Sequence, residues 1–175
     1  MASPTIATAA RAAEDLGLAA LLGGNLFGRL AMHPAVRGVC TPEDRGKVVS
    51  AAWRRYGTVN SLSLAAVLAG WLTTRGQIGD PQIARAKDAA VGAVALTGVA
   101  SALEGVRFAR SAPGGSVPLE SGSEPASGAP PDAARTKRLL NTLGRVSALA
   151  EVALVAINAA AAQPPRARRL RLGRR

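Results

Sequence analysis

The sequence predicts an all-α fold, specifically an antiparallel four-helix transmembrane bundle with an amphipathic extension before the second helix. Three observations lead to this prediction. Four segments begin with helix-start chemistry, each carries an apolar stretch of nearly bilayer length, and small residues recur at four-residue spacing in two of them. No segment shows a comparable strand pattern.

Each helix start combines a capping residue or an early acid with a proline, whose missing N–H does no harm in a first helical turn. The starts are Ser3-Pro4, Thr41-Pro42-Glu43-Asp44, Asp80-Pro81 and Pro131-Asp132. We therefore expect helices over about 4–33, 42–75, 81–108 and 132–162.

Each helix contains an apolar stretch that approaches the roughly 20 residues that a membrane-spanning helix needs. The stretches are Leu16–Met32, Val59–Thr74, Ala89–Val106 and Val146–Ala162. The mean hydropathy of the chain is only +0.15, so a soluble four-helix bundle is the alternative.

Small residues fall four apart on one face of the first and third helices, which favours close helix contact in lipid. In water such faces would forfeit much of the apolar burial that holds a bundle together. They would also suit contact between copies of the chain in a homo-oligomer. The first stripe is Ala20, Gly24 and Gly28, and the third-helix stripe is Ala89, Ala93, Thr97, Ser101 and Gly105.

The amphipathic extension runs from Thr41 to Tyr56 and places its apolar and basic residues on different faces. Trp53 and Tyr56 would then mark the membrane interface. The alternative is a solvated start of the second helix. The apolar face is Val48, Val49, Ala52, Trp53 and Tyr56, and the basic residues are Arg45, Lys47, Arg54 and Arg55.

Residues 111–131 read SAPGGSVPLESGSEPASGAPP, and this composition predicts a flexible loop without regular structure. Its one apolar spot, Val117-Pro118-Leu119, would either dock on the bundle or stay solvated, and we expect the solvated state. We expect residues 1–162 to form a single membrane domain, followed by a basic tail over 163–175.

The chain holds 22 Lys and Arg against 11 Asp and Glu, a formal charge of +11, which indicates an anionic partner. Next to a span, an arginine-rich tail is typical of contact with anionic lipid headgroups, worth about 1 kcal/mol per residue. Nucleic acid is a less favoured partner because aromatic residues for base stacking make up only 3%. The tail arginines are Arg166, Arg168, Arg169, Arg171, Arg174 and Arg175.

Basic residues divide equally between the two sides of the predicted bundle, so the charge rule alone does not orient it. We place the termini in the cytoplasm, and the chain in the cell membrane, because the tail is dense and adjacent to a span. Glu14 and Asp15 precede the first apolar run, which argues against a cleaved leader. With one Cys and one His, we expect no disulfide, no metal site and no cofactor.

Polar residues interrupt the spans, and antiparallel helices would gather most of them at one end of the bundle. A charge within a span costs about 3 kcal/mol unless it is paired, so we expect Glu104 to pair with Arg29 or Arg145. The cluster is either structural, with snorkelling arginines and helix-helix hydrogen bonds, or a ligand site. Its members are Asn25, Arg29, His33, Asn60, Glu104, Asn141, Arg145 and, more deeply placed, Glu151.

Four segments, GGNLFGRLAMHP, AWRRYGTVN, VPLE and NTLGR, give the chain a likeness to known membrane proteins. It resembles the anthrone-oxygenase-like and DoxX-like families, and uncharacterised small four-span membrane proteins of actinobacteria. The resemblance implies a four-span fold and a polar end, and it carries over no catalytic residue.

Three functional hypotheses follow from the sequence. The first is an integral membrane protein with a binding or accessory role. The second is a membrane-embedded enzyme acting on an apolar small molecule, whose site would be reached by Arg29, His33, Asn60 and Arg145. The third is a soluble basic bundle that binds nucleic acid.

Overall fold

Over its described residues the chain folds into four long helices. The computed structural model describes residues 3–111, 114 and 116–162, and the basic tail lies outside this range. The all-helical prediction is confirmed, and the described part of the chain contains no strand beyond one isolated bridge between Leu119 and Pro125. The helices are α1 (Pro4–Phe27), α2 (Pro42–Thr74), α3 (Pro81–Ser111) and α4 (Pro131–Ala161).

The predicted helix starts are confirmed, and three of them carry the expected side-chain caps. Ser3 Oγ accepts a hydrogen bond from the Ile6 amide, and Thr41 Oγ1 accepts one from the Asp44 amide at 3.1 Å. Asp80 Oδ1 accepts from the Gln82 amide at 2.8 Å. Each cap satisfies an amide that has no partner within its own helix.

The first helix leaves α geometry before its predicted end. Gly28–Met32 forms a π-helical turn, which continues into a single α-helical turn at His33–Ala35 and a 3-10 turn at Val36–Gly38. Pro34 explains the irregularity, because proline has no N–H for an α-helical hydrogen bond and its ring crowds the preceding turn. The wider π turn moves Arg29 and His33 relative to a regular helix.

The helices form two closely packed pairs, α1 with α2 and α3 with α4, which meet through α1 with α4 and α2 with α3. Asn25 contacts Glu151 and Arg29 contacts Asn141, so α1 and α4 run in opposite directions. The hydrophobic core lies where the four helices meet. Its buried residues are Leu18, Leu21, Val67, Ala90, Val91, Val94 and Leu154.

The stripe of small residues on α1 is used for close helix contact. A Cβ at Gly28 would lie 2.7 Å from the Trp53 ring, and a Cβ at Gly24 would overlap the Tyr56 ring. The Tyr56 hydroxyl also donates a hydrogen bond to the Ala20 carbonyl at 2.6 Å. The two aromatic residues expected at the membrane interface therefore pack against α1.

The stripe on α3 is used only in part. Thr97 is buried, but its hydroxyl donates to the Ala93 carbonyl of its own helix. Ala89 is exposed, and no atom lies close to the Cβ position of Gly105. The buried core residues of α3, Ala90, Val91 and Val94, lie beside the predicted stripe, of which Thr97 is buried.

Much of the apolar surface faces outward. Among the described residues, α3 and α4 are the two helices long and apolar enough to cross a membrane, with mean hydropathies of 1.6 and 1.5 in their most apolar windows. Only 22% and 17% of those windows are buried within the protein. Leu96 and Leu149, one on each helix, are 74% and 72% exposed.

The segment that follows α3 docks on the bundle instead of remaining solvated. Val117 and Leu119 are 1% and 2% exposed, and the Leu119 amide donates to the Pro42 carbonyl at 2.9 Å. Val117 packs beside Ala133, whereas Leu119 packs with Val36 and Val49. The expectation of a solvated apolar spot is wrong because two hydrophobic clusters receive these side chains. Residues 116–130 consequently cover one end of the bundle.

Candidate functional site

The end of the bundle near the start of α1 holds a buried ion pair. The Lys87 ammonium lies 2.7 Å from a Glu14 carboxylate oxygen, and both residues are almost fully buried. Asn158 of α4 donates to the same Glu14 oxygen at 3.3 Å and to Asp15 at 3.1 Å. Three helices thereby meet around the Glu14–Lys87 ion pair, while Glu14 Oε2 and Asn158 Oδ1 stay buried without a hydrogen-bond partner.

A second network at that end is also internally paired. The Trp71 indole N–H donates to the Asp88 carboxylate at 2.7 Å, and Arg75 lies 3.8 Å from the other oxygen of Asp88. The Arg75 guanidinium also stacks 4.7 Å above the Trp71 ring. We call this end, defined by Glu14, Lys87, Asp88 and Arg75, the paired end.

Deeper in the bundle, Glu151 is satisfied by neutral donors. Asn25 Nδ2 lies 2.9 Å from both carboxylate oxygens, and the Ser147 hydroxyl donates at 2.8 Å. This arrangement fixes α1 to α4 and accounts structurally for two members of the predicted cluster. Asn158, which shares a helix face with Glu151 in the sequence, bonds Glu14 instead.

Beyond Glu151, the opposite end opens into a small cavity of about 150 Å³. We call it the cationic cavity, because three arginines and a histidine contribute to its wall and no carboxylate among the described residues does. The charged side chains of the lining are therefore all basic. The lining residues are Arg29, His33, Pro34, Arg37, Ser121, Ser123, Asn141 and Arg145.

Arg29 reaches across from the π-helical turn to α4. Its Nη2 donates to the Asn141 carbonyl at 3.3 Å, and a Cβ at Gly144 would lie 2.9 Å from the same nitrogen. Glycine at 144 therefore gives the guanidinium room to lie along α4. The Arg29 Nε is buried and has no hydrogen-bond partner, which leaves one donor unused.

His33 supplies a second unused nitrogen. Its Nε2 is buried without a hydrogen-bond partner, and its ring meets the Trp53 ring edge-on at 6.3 Å between centroids. Burial, followed by the positive charges of Lys137 and Arg29, lowers the pKa of His33 to about 4. The imidazole is thus neutral at pH 7 and can donate or accept a proton in a hydrogen bond.

Lys137 strengthens the positive charge of this region from one turn before Asn141. It is only 7% exposed, and no hydrogen bond or ion pair joins its ammonium to another residue in the part of the chain that the structure describes. An ammonium in that setting has lost part of its hydration without gaining a carboxylate. After burial, its positive charge is the next cause that lowers the pKa of His33.

The segment 116–130 forms the remaining wall of the cavity. Asn141 Nδ2 donates to the Ser123 carbonyl, and the Ser121 hydroxyl accepts from the Glu124 amide at 3.3 Å. Gly122 lies so close to the His33 backbone that a Cβ there would clash with it. The position of this wall therefore depends on a glycine and on a hydrogen bond to α4.

The structure brings together Arg29, His33, Asn141 and Arg145 from the predicted cluster. Two other members lie elsewhere: Asn60 is exposed and does not line the cavity, and Glu104 pairs with Arg107 of its own helix at 2.5 Å. The expected pairing of Glu104 with Arg29 or Arg145 is therefore wrong. An arginine three residues away on the same helix face competes with partners on other helices.

Sequence reasoning missed several polar residues that the structure shows to be important. Glu14 lies in helical register with Gly17, Leu18 and Leu21, and Lys137 with Ala133 and Asn141, which is the signal for a buried position. Ser121 and Ser123 carried no such signal because they lie in an irregular segment. The missed residues are Glu14, Arg37, Lys87, Ser121, Ser123 and Lys137.

The cavity has the chemistry of an anion site. Guanidinium, hydroxyl and amide groups offer hydrogen-bond donors, and the described residues include no group of three His, Cys, Asp or Glu that could hold a metal ion. The chain was compared with protein-family models, curated proteins and solved structures, and no match was found.

Proposed function

We propose that this chain is an integral membrane protein that binds an anionic ligand in the cationic cavity. The proposed topology has four antiparallel spans, one in each long helix, with both termini in the cytoplasm. The ligand would enter at the end of the bundle that residues 116–130 cover. The role is one of binding, as expected for a small binding or accessory protein.

Membrane insertion is supported by where the apolar and charged side chains lie. Leu16 and Leu30 are 72% and 74% exposed near α1, as are leucines of α3 and α4, while Glu14, Lys87 and Glu151 are buried inside. Surface apolar groups with paired interior charges suit a hydrocarbon environment better than water. Exposed apolar area this extensive is rare on soluble monomers.

Anion binding is carried by one observation, the cationic lining of the cavity. Arg29, Arg37 and Arg145 all line it, and no carboxylate of the described residues does. Guanidinium groups donate strong hydrogen bonds to oxyanions. Positive charge selects an anion as that ligand.

Two measurements test the proposal. Detergent-free carbonate washing should leave the protein in the membrane fraction, and release of intact protein would refute the membrane assignment. In neutral detergent, inorganic phosphate should raise the melting temperature of the native chain but not that of Arg145→Gln. Arg138→Gln, which removes the same charge from an exposed position on the same helix, should respond like the native chain.

The structure also offers a feature that favours the enzyme hypothesis. An apolar groove of about 330 Å³ lies beside the His33–Trp53 contact and would accept an apolar small molecule. His33, neutral at pH 7, would be the proton acceptor in such a reaction. This candidate predicts that the native chain converts an apolar substrate and that His33→Gln binds it without converting it. A native chain that binds the compound without converting it would refute this second candidate.

A further inference from the structure

The apolar groove lies against the same turn of helix as the cationic cavity. It is lined almost entirely by apolar or glycine positions of α1, the π-helical turn and α2. Its walls are Gly23, Gly24, Phe27, Gly28, Met32, Ala52, Trp53 and Tyr56. A volume of about 330 Å³ with so little polar lining suits a hydrocarbon chain.

The cavity and the groove share the π-helical turn and one ring contact. Arg29 and His33 point to the cavity, while Gly28 and Met32 of the same short segment line the groove. The edge-on contact between His33 and Trp53 joins one wall of the cavity to one wall of the groove. A cation-lined compartment and an apolar compartment are therefore immediate neighbours.

We infer that the cavity and the groove together bind one anionic amphiphile, a lipid of the bilayer whose headgroup phosphate lies in the cavity and whose acyl chain lies along the groove. This inference rests on the proposed anion site and adds the class of ligand. The three arginines that line the cavity favour an oxyanion, and the adjoining groove favours an apolar chain attached to it. A free inorganic anion would leave the groove empty.

In the proposed topology, the outer side of the groove faces the acyl chains of the bilayer. Phe27 and Leu30 flank the groove and the turn, and they are 64% and 74% exposed. In a membrane these side chains would lie against acyl chains, so a lipid reaches the groove from the side without passing through water. The glycines at 24 and 28 let the Tyr56 and Trp53 rings pack directly against α1 and the π-helical turn, where they form part of the groove wall.

Trp53 provides the readout, because it lines the groove and acyl chains carrying bromine quench tryptophan fluorescence on contact. The full chain with Trp71→Phe, which leaves Trp53 as the single tryptophan, is reconstituted into phosphatidylcholine vesicles containing a minor fraction of phosphatidic acid. Bromine is placed on either the phosphatidic acid or the same fraction of phosphatidylcholine. Phosphatidic acid should quench with about tenfold higher apparent affinity, which corresponds to about 1.4 kcal/mol.

Matched variants locate the selectivity. Arg145→Gln should abolish the preference for brominated phosphatidic acid, and Arg138→Gln should retain it. Ala52→Phe should block the groove and weaken quenching, whereas Ala65→Phe, at an exposed position of α2, should not. Melting temperatures of all variants show whether each one is folded.

The outcomes separate this inference from the proposed function. Equal quenching by the two brominated lipids, or a dimer that shields Trp53 from both, would overturn the amphiphile inference. If inorganic phosphate still stabilised the native chain through Arg145, anion binding would stand without it. If phosphate and phosphatidic acid both failed to distinguish Arg145→Gln from Arg138→Gln, the anion site itself would be refuted.

Discussion

The two ends of the bundle treat a buried lysine in opposite ways. At the paired end, Lys87 is 6% exposed and meets Glu14 at 2.7 Å. At the end with the cationic cavity, Lys137 is 7% exposed and its charge acts on His33 instead of on a carboxylate. The two lysines are therefore equally buried but have different charged neighbours. Burial alone does not predict whether a lysine is paired with a carboxylate.

The difference has a thermodynamic meaning. A buried ion pair with good geometry offsets much of the cost of dehydrating its members, while a buried charge without a partner keeps that cost. Stability is thus favoured by the paired end and opposed by the cationic cavity. A ligand that supplies negative charge would reverse the second effect, because binding to the folded state alone stabilises it.

The largest expected effect is at the paired end. Lys87→Met should lower the free energy of unfolding by about 3–5 kcal/mol, since it leaves the Glu14 carboxylate buried with only Asn158 as a donor. Denaturant titration in a neutral detergent measures the loss. Glu14→Met combined with Lys87→Met should recover most of it, and equal losses for the single and the double variant would show that the pair does not act as a unit.

The next largest effect comes from filling the cationic cavity. An anionic amphiphile at about 100 times its dissociation constant should stabilise the native chain by about 2.7 kcal/mol. In Lys137→Gln the gain should be smaller, because Lys137 does not line the cavity but adds positive potential from one helical turn away. Thermal unfolding with and without the lipid gives both values, and an undiminished gain in the variant would show that Lys137 does not act on the bound headgroup.

A matched substitution of the two lysines sharpens the comparison. Lys137→Met should raise the stability of the unliganded protein by about 1–2 kcal/mol, because it removes a dehydrated charge without stranding a partner. The same change at position 87 lowers stability, so the two variants should shift denaturation midpoints in opposite directions. A loss in both would mean that Lys137 has a stabilising partner after all.

The sequence predicted the helices better than the contacts among them. Caps and prolines located the helix starts because these signals are local, and the Gly24 and Gly28 stripe located a close contact because small residues leave a detectable period. The predicted partner of Glu104 was wrong because Arg107, three residues away on the same helix, pairs with Glu104 instead. Local patterns do not rank such competing partners.

The candidate site was predictable only where helices supply it. Arg29, His33 and Arg145 were grouped by helix direction, and the structure places them around one cavity. The wall from Ser121 to Ser123 was not predictable, since its position depends on tertiary docking of Val117 and Leu119. The π-helical turn was not predictable either, because it depends on Pro34 within this packed segment and leaves no periodic pattern in the sequence.

The last expected effect is a pH dependence that separates the two ends through His33. Its pKa is lowered to about 4 in the folded protein, against 6.5 as its ordinary value, because it is partly buried and faces Lys137 and Arg29. Between about pH 6.5 and 4 the unfolded chain therefore takes up a proton that the folded chain does not. Stability should fall as pH decreases through this window and stop falling from this cause below about pH 4.

The difference in unfolding free energy between the native chain and His33→Gln isolates this titration, because other groups cancel to a first approximation. That difference should change with pH in the unliganded protein and change less when an anionic amphiphile occupies the cationic cavity, since nearby negative charge raises the pKa of an imidazole. A flat difference between pH 7 and 4 would show that His33 protonates as freely in the folded state as in the unfolded one. His33 would then be open to water, and the cationic cavity would lose the dry wall that distinguishes it from an exposed basic surface.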